Sequence, residues 1–583
     1  MKKNNSKLNS KILIISQLRP KTFELNNSDI LFLNEGCKLY KNSKKYKYEL
    51  YKNNRVLNYK IKCLEKKFSY LLKIYESLLE TLSEKLNKIH NLNYSVQYWR
   101  IIIGPWLMEF ISILHHNWKV INYLNNNYLI KYVEVAKLEK NEHYFIDFND
   151  FGYSSMTDKF NNNIYIDLLK YFKNFKIKYF LIHKKKKPKK IFILFYIRKF
   201  VDSILLFCNL FLNNKFFFHE SYFTLSLKFL LGIRIFQFPS YYKSPSFEDI
   251  FLNKKIRKQK FDYSNDKFLN ILNNLIFKYI PVSYIENFDK YRQTAKTINW
   301  PKDPRIIFSS NSFIHDDFFK IWLAEKKESS HSKFISGQHG GNFFITKFHF
   351  YELHQRIISE KILTWGYKKE NIYKPMFNFK TVFKKVKFNS QGKLLIVDHE
   401  ISRFPTSTLV YNNFPFLSHF SNKLKFIKNL NHKIRNDIIF RTYVHNLGWN
   451  TIDRLKEINK SIKIDRNKNI YDSINNSRVV FINLNSTVFL ELLNLNFPTI
   501  IYFDPKDLIR SDAKYYFDIL KEVNIYFDDS ASAAKHLNNI WSQVDKWWYN
   551  KKTQNAISEF CNRFSRKTDH PLNELVFFFK KNL

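Results

Sequence analysis

The sequence predicts an α/β protein of two Rossmann-like domains facing across a cleft, with helical insertions and a C-terminal helical tail. Three observations predict it. Short apolar runs alternate with helical stretches from about residue 305 onward, the signature of parallel sheets. A polar, lysine-rich stretch at 368–392 separates two such series. A chain of 583 residues is also too long for one core, since domains usually run to 100–200 residues.

In the first series "KILIIS" (11–16) and "DILFLNEG" (29–36) read as opening strands, and apolar residues at helical spacing mark a long amphipathic helix over 57–92. "YWRIIIGPWLMEFISILHHNW" (98–118) is expected to break at Gly104-Pro105 and restart as a helix with Pro105 in its first turn. The Phe-, Tyr- and Asn-rich region 120–300 shows few boundaries. "RIIFSS" (305–310), "KFISG" (333–337) and "KILTWGY" (361–367) are strands, with a helix at 315–328. In the second series "KLLIVDH" (393–399), "DIIFRTY" (437–443), "VVFINLN" (479–485) and "TIIYFD" (499–504) are strands. The expected division is 1–380 with a helical insertion at about 160–300, then 390–550, then a helical tail at 551–583.

Lys and Arg number 96 against 51 Asp and Glu, a net charge of +45, which raises nucleic acid, anionic membrane and anionic glycan as partners. Part of the excess follows from a Lys-, Asn-, Ile- and Phe-rich composition of the kind AT-rich coding imposes. No zinc-finger spacing or aromatic RNA-binding strand accompanies the charge, so no specific nucleic acid is expected. Cys37, Cys63, Cys208 and Cys561 lack CxxC spacing, which speaks against a zinc site or disulfide framework and for a reducing cytoplasm. The apolar run 12–15 is too short for a signal peptide, and 191–212 carries Arg198, Lys199 and Asp202 and fails as a membrane span. Beside "HKKKKPKK" (183–190), that stretch would suit peripheral contact with an anionic bilayer at the inner face of the cytoplasmic membrane, or a solvated loop and a core helix.

Two segments carry the chemistry. "FISGQHGGNFF" (334–344) holds three of the chain's 10 glycines, Gly337, Gly340 and Gly341, around His339. Glycine serves where a backbone must approach a neighbour closely, and open α/β sheets place ligands beyond the carboxyl ends of their strands; a plain tight turn is the alternative. "INLNSTVFLELLNLNFPTIIYFDP" (482–505) runs strand, helix start, Pro, strand. Ser486 and Thr487 at the helix start would cap free N–H groups, and the helix mouth suits a diphosphate. Glu491, four residues after Thr487, would face a ribose; an ordinary capped helix is the competing account.

These segments, with "DLIRSDAKYYFDILKEVNIYFDDSASAAKHLNNIW" (507–541), "QYWRIIIGPWL" (97–107) and "SGQHGG" (336–341), resemble a bacterial family of transferases found among surface-polysaccharide genes, including those of spirochaetes. The resemblance runs over nearly the whole chain and implies a GT-B glycosyltransferase-like fold. The chain departs from the pattern at His115, His116 and Asn117, where an acidic-basic pair is expected before Trp118, and in "RTYVHNLGWN" (441–450), which lacks an acidic residue after His445. The glycine-flanked His339 also looks like the histidine loop of polyol-phosphate polymerases, where the imidazole faces the cleft and would take an acceptor hydroxyl's proton.

The expected sites are therefore His339 as base, and Ser486, Thr487, Glu491, Arg441 and His445 around the donor's phosphates and ribose. Gln338, Gly340 and Gly341 form the acceptor-side loop, whose backbone N–H groups would reach a phosphate or hydroxyl. Arg100 and Asp398 are additional candidates, Arg100 equally readable as a structural ion pair, and Asp316 and Asp317 read as first-turn acids. No metal or cofactor is expected, the nucleotide-activated sugar being a co-substrate. The function expected is transfer of a sugar or related group from that donor to a surface glycan or lipid-linked acceptor. The alternatives are a nucleotide-sugar epimerase on the same scaffold and a noncatalytic basic glycan- or nucleic-acid-binding protein.

Overall fold

In the computed structural model the described residues are 8–18, 30–37, 55–57, 59, 63–138, 144–181, 215–237, 242–245, 247, 251–262, 264–330, 332–406, 416–443, 445, 447–503 and 509–583. The basic run 183–190 and the stretch 191–212 lie outside them.

These residues form three parallel sheets. The first joins β1 (Leu8–Ile14), β2 (Ile30–Phe32), β3 (Arg55–Val56), β4 (Tyr128–Lys137) and β5 (Ile177–Leu181) in the order β3-β2-β1-β4-β5. The second runs sequentially through β6 (Phe216–Phe218), β7 (Ile306–Ser309), β8 (Lys333–Gly337), β9 (Lys361–Thr364) and β10 (Tyr373–Pro375). The third holds β11 (Lys393–Val397), β12 (Ile438–Arg441), β13 (Lys463–Ile464), β14 (Ser477–Ile482), β15 (Thr499–Tyr502) and β16 (Tyr526–Phe527) in the order β13-β12-β11-β14-β15-β16. In that last sheet Leu395 lies opposite Ile439 on one side and Val480 on the other. The order reverses between β11 and β14, and beyond the carboxyl ends at such a reversal a doubly wound sheet leaves a crevice.

The central strands are legible because parallel sheets are covered on both faces and so read as unbroken apolar runs: every residue of β7 and of β15 is buried. The two sheets in the first half were not separable from the sequence, because β5 and β6 sit inside the Phe-rich region where helices were expected.

Two long helices tie these sheets together. Leu64–His90 buries Leu71, Ile74, Leu78, Leu82 and Leu86 along one face and ends at Asn91, which takes the left-handed conformation common after a helix C-terminus. Its neighbour, Val96–Asn127, corrects the expectation of a break at Gly104-Pro105: it is one helix of 32 residues with Pro105 inside it. Every residue from Ile101 to His115 is buried, so packing on all sides compensates the backbone bond that Pro105 cannot make. Gly104 is there for close approach, since a Cβ would stand 2.7 Å from the Tyr75 hydroxyl. The main core surrounds this helix and the second sheet and extends to the helix Thr487–Asn494. The first sheet and one side of the third have cores of their own. Four helices between Ser530 and Lys581 close the chain.

Candidate active site

All three sheets turn their carboxyl ends toward one cavity of about 2110 Å³. The first sheet contributes residues 33–36 after β2; the second contributes Glu220 after β6, residues 315–318 after β7 and 339–343 after β8; the third contributes 399–406 after β11, Tyr443, His445 and 447–449 after β12, and 485–488 after β14.

The glycine loop and the helix mouth meet there. The Gly341 amide donates to Thr487 Oγ1 at 3.1 Å, and a Cβ on Gly341 would lie 2.7 Å from the Ser486 carbonyl carbon and oxygen. The glycines thus admit a neighbouring backbone, and the amide expected to reach a ligand is already committed to the protein. Further along the loop, the Arg510 amide donates to the Ile345 carbonyl at 2.9 Å, Thr346 bridges Ile509, and Arg510 pairs with Glu352 at 2.5 Å. Ser486 is the N-cap residue of Thr487–Asn494, yet its side chain makes no capping hydrogen bond, contrary to the capping role expected of it. Beside it Asn485 is buried, with Oδ1 unpartnered.

His339 lines the cavity. Its Nδ1 lies 3.2 Å from the Ser310 carbonyl oxygen and 3.1 Å from the Tyr222 hydroxyl. Burial lowers its pKa to about 4, against the opposing pull of the Ser310 hydrogen bond, so the ring is neutral at neutral pH. Glu220 and Tyr222 both take positive φ, 44° and 61°, a costly conformation for such side chains and one that gathers at functional sites.

Several expected site residues are engaged elsewhere. Arg441 pairs with Asp465 at 2.5 Å and donates to the Asn467 carbonyl at 3.0 Å, so its guanidinium is spent on the turn after β13. Glu491 accepts from the Tyr471 hydroxyl at 2.5 Å and faces Lys380 at 3.5 Å, outside the cavity walls formed by the described residues. Arg100 makes a two-pronged pair with Glu76 at 2.8 and 2.7 Å. Asp398 is buried against Lys423 at 2.5 Å and Asn483 at 2.9 Å; burial pushes its carboxyl up, but Lys423 and His419 hold it below the usual range, and it is committed to these partners rather than to the described lining of the cavity. Gln338 is a brace, donating to the Gly340 carbonyl at 3.1 Å and accepting from the Trp365 amide at 2.8 Å. His445 does line the cavity, edge-on to Tyr153 at 5.5 Å. Asp316 caps the helix Asp317–Ser329 through the Phe319 amide, and Asp317 is a buried hub accepting from Phe148, Ser283 and Tyr284 and paired with Lys320 at 2.7 Å.

Further wall residues fall in no sequence motif. His315, His349 and Tyr351 stand around His339, with His315 6.0 Å away ring to ring. Burial lowers the His315 and His349 imidazoles to about 3. Asp147 caps the helix Phe148–Ser155; burial, with Asp317 nearby, raises its carboxyl to about 6. Arg403 ties three stretches of the lining together, pairing with Asp158 at 2.7 Å and donating to the carbonyls of Leu447 at 2.7 Å and Gly36 at 3.1 Å. Among the described residues, Glu35, Glu109, Asp147, Asp158, Glu220, Asp316, Asp317 and Glu400 line the walls beside Lys159 and Arg403, in a chain whose net charge is +45. Among the described residues, no three His, Cys, Asp or Glu side chains are grouped to hold a metal ion.

The sequence profile of the LIC12162 family of transferases matches residues 12–579. The chain belongs to that family. The LIC12162 assignment spans all three sheets and the cavity between them. No curated protein matches the sequence. Among solved structures, a Listeria monocytogenes protein assigned as a UDP-N-acetylglucosamine 2-epimerase is similar at 11% identity and TM-score 0.36, over 63% of this chain and 95% of its own. MurG of Acinetobacter baumannii is similar at 8% identity and TM-score 0.29, over 50% and 77%. WaaG, a glycosyltransferase of lipopolysaccharide biosynthesis, is similar at 9% and 0.28, over 62% and 98%. No helix among the described residues is long and apolar enough to cross a membrane.

Proposed function

We propose that this LIC12162-family transferase moves a sugar or related group from a nucleotide-activated donor onto a hydroxyl of a surface glycan or lipid-linked acceptor. The observation that carries the reading is that His339 and the helix mouth at 485–488 share one cavity beyond the strand ends. The amides at the start of Thr487–Asn494, which the Ser486 side chain does not cap, would hold the donor's diphosphate, as helix N-termini do, with the Ser486 hydroxyl and the Asn485 side chain as further contacts to the donor. The His339 lone pair would take the acceptor hydroxyl's proton as its oxygen attacks the transferred carbon, and the nucleotide diphosphate would leave toward the helix mouth. A pKa near 4 makes His339 a weak base that is always in its basic form at neutral pH.

Contact with an anionic membrane is part of the same proposal. The helix Leu225–Arg234 exposes Leu225, Phe229 and Ile233 beside Arg234, and Pro571–Lys581, packed against it, exposes Phe577 beside Lys580 and Lys581.

Calorimetry with UDP, GDP and CMP and their sugar conjugates tests the donor site. Binding of one of them should weaken at least about tenfold in Ser486→Ala and Asn485→Ala; unchanged affinity in both, or no binding by the native chain, removes the donor claim.

A further inference from the structure

Two histidines between β8 and the helix Phe350–Ile358 present opposite hydrogen-bonding faces to the cavity, and their own backbone contacts fix which is which. His349 is the N-cap of the helix Phe350–Ile358, and its Nδ1 accepts the Glu352 amide at 3.2 Å. A nitrogen that accepts carries the lone pair, so in a neutral ring the proton sits on Nε2. His339 is arranged the other way. Its Nδ1 faces the Ser310 carbonyl oxygen at 3.2 Å, which has no proton to give, so Nδ1 donates and the lone pair is on Nε2. The Tyr222 hydroxyl, 3.1 Å from the same Nδ1, is then an acceptor as well.

Both rings line the cavity, and neither Nε2 has a hydrogen-bond partner among the described residues. Phe343 packs against both, its ring centroid 5.7 Å from His339 and 4.3 Å from His349. Burial keeps both rings uncharged, with pKa values of about 4 and about 3, so the opposed pattern persists across the neutral range.

We infer that His339 and His349 form a binding site for a hydroxyl-bearing acceptor, His339 Nε2 accepting a proton from one hydroxyl and His349 Nε2–H donating to an oxygen of the same molecule. The chemistry selects the ligand class. A phosphate dianion would satisfy only the donor and an ammonium group only the acceptor, whereas a polyol or sugar satisfies both. This site rests on the transferase reading for its purpose, and it adds to that reading a second residue, His349, that holds the acceptor alcohol whose proton His339 takes. Nothing in the glycine pattern marks His349, because its signal is a capping contact made only in the folded chain.

Diethyl pyrocarbonate tests the assignment without any substrate, because it acylates an imidazole nitrogen only through an available lone pair. Peptide mass spectrometry after labelling the full chain at pH 5.5, where an ordinary histidine is only about 10% neutral, should show His339 modified at least about tenfold faster than His349. Comparable labelling of the two, or none at His339, overturns the inference whatever the outcome with nucleotides. His349→Asn keeps an oxygen where Nδ1 accepts and should retain the native Tm, while His349→Ala should lower it. Equal losses in the two variants would show that Nδ1 is not the accepting atom and would overturn the inference as well.

Discussion

The amide of Gly341 reaches across 3.1 Å to the hydroxyl of Thr487 and so joins the loop after β8 to the first turn of the helix after β14. Gly341→Ala should therefore destabilise by about 1–3 kcal/mol, as overpacking does, because the new Cβ would press on the Ser486 and Thr487 backbone at 2.7–2.8 Å. Thr487→Val should cost about 1 kcal/mol for one lost hydrogen bond. Urea titration of both variants measures this, and a native midpoint for Gly341→Ala would contradict the close packing.

Ser486 makes no capping hydrogen bond, whereas Asp316 caps its helix. Ser486→Ala should accordingly leave stability within about 0.5 kcal/mol, while Asp316→Ala should cost about 1 kcal/mol. Thermal unfolding of the pair checks the contrast.

Acid should weaken the fold before it touches most carboxylates. His315, His339 and His349 are held neutral down to about 3, 4 and 3, while in the unfolded chain a histidine takes its proton near 6.5. Between those values the unfolded state binds more protons, so the stability that these rings contribute is full above pH 6.5 and is lost as pH falls toward 4. The Tm should fall by several degrees from pH 7.5 to pH 5; an unchanged Tm would mean that the rings are not buried.

Lys67 is buried with no hydrogen-bond partner for its Nζ among the described residues, and burial pulls its pKa down to about 7. In the unfolded chain it would hold its proton to about 10.4, so at neutral pH this residue opposes folding. Lys67→Met, close in volume and without charge, should raise the Tm, most at pH 7 and least above pH 10.

Arg403 and Asp158 are both largely buried, the side chains 7% and 13% exposed. Arg403→Met should cost about 3 kcal/mol by leaving Asp158 unpaired, and adding Asp158→Asn should restore part of it. An additive double variant would show that the pair is not coupled.

If Leu225, Phe229 and Ile233 meet a bilayer, the chain should sediment with phosphatidylglycerol vesicles and much less with phosphatidylcholine. Phe229→Ser with Ile233→Ser should abolish it; equal sedimentation with both lipids would remove the charge argument.

Strands built around a short unbroken apolar run were legible in the sequence: β7, β8, β9, β11, β12, β14 and β15 fall where such runs predict them. β4 is half-exposed or exposed from Tyr128 to Tyr132 and buried only at Val133, Val135 and Ala136, so it carries no long apolar run, and β3, β13 and β16 are two residues long, too short for any periodicity to register. The cavity residues signalled by glycine or by a helix start, His339, Gly340, Gly341, Ser486 and Thr487, do line it. Arg441 and Asp398, and Arg100 in its ion-pair reading, are engaged within the protein, and residue type and strand-end position alone do not show whether a counter-ion is near. Arg441 has Asp465, Arg100 has Glu76 and Asp398 has Lys423, each contributed from another part of the fold.

The acidic walls of the cavity have a practical meaning for a chain this basic. The chain as a whole is strongly cationic while the described lining is rich in carboxylates, so a polyanion held by long-range charge alone would be shed as ionic strength rises. Cargo gripped in the inner lining by hydrogen bonds would stay. Sodium chloride alone would thus sort adventitious passengers from genuine tenants of the cavity.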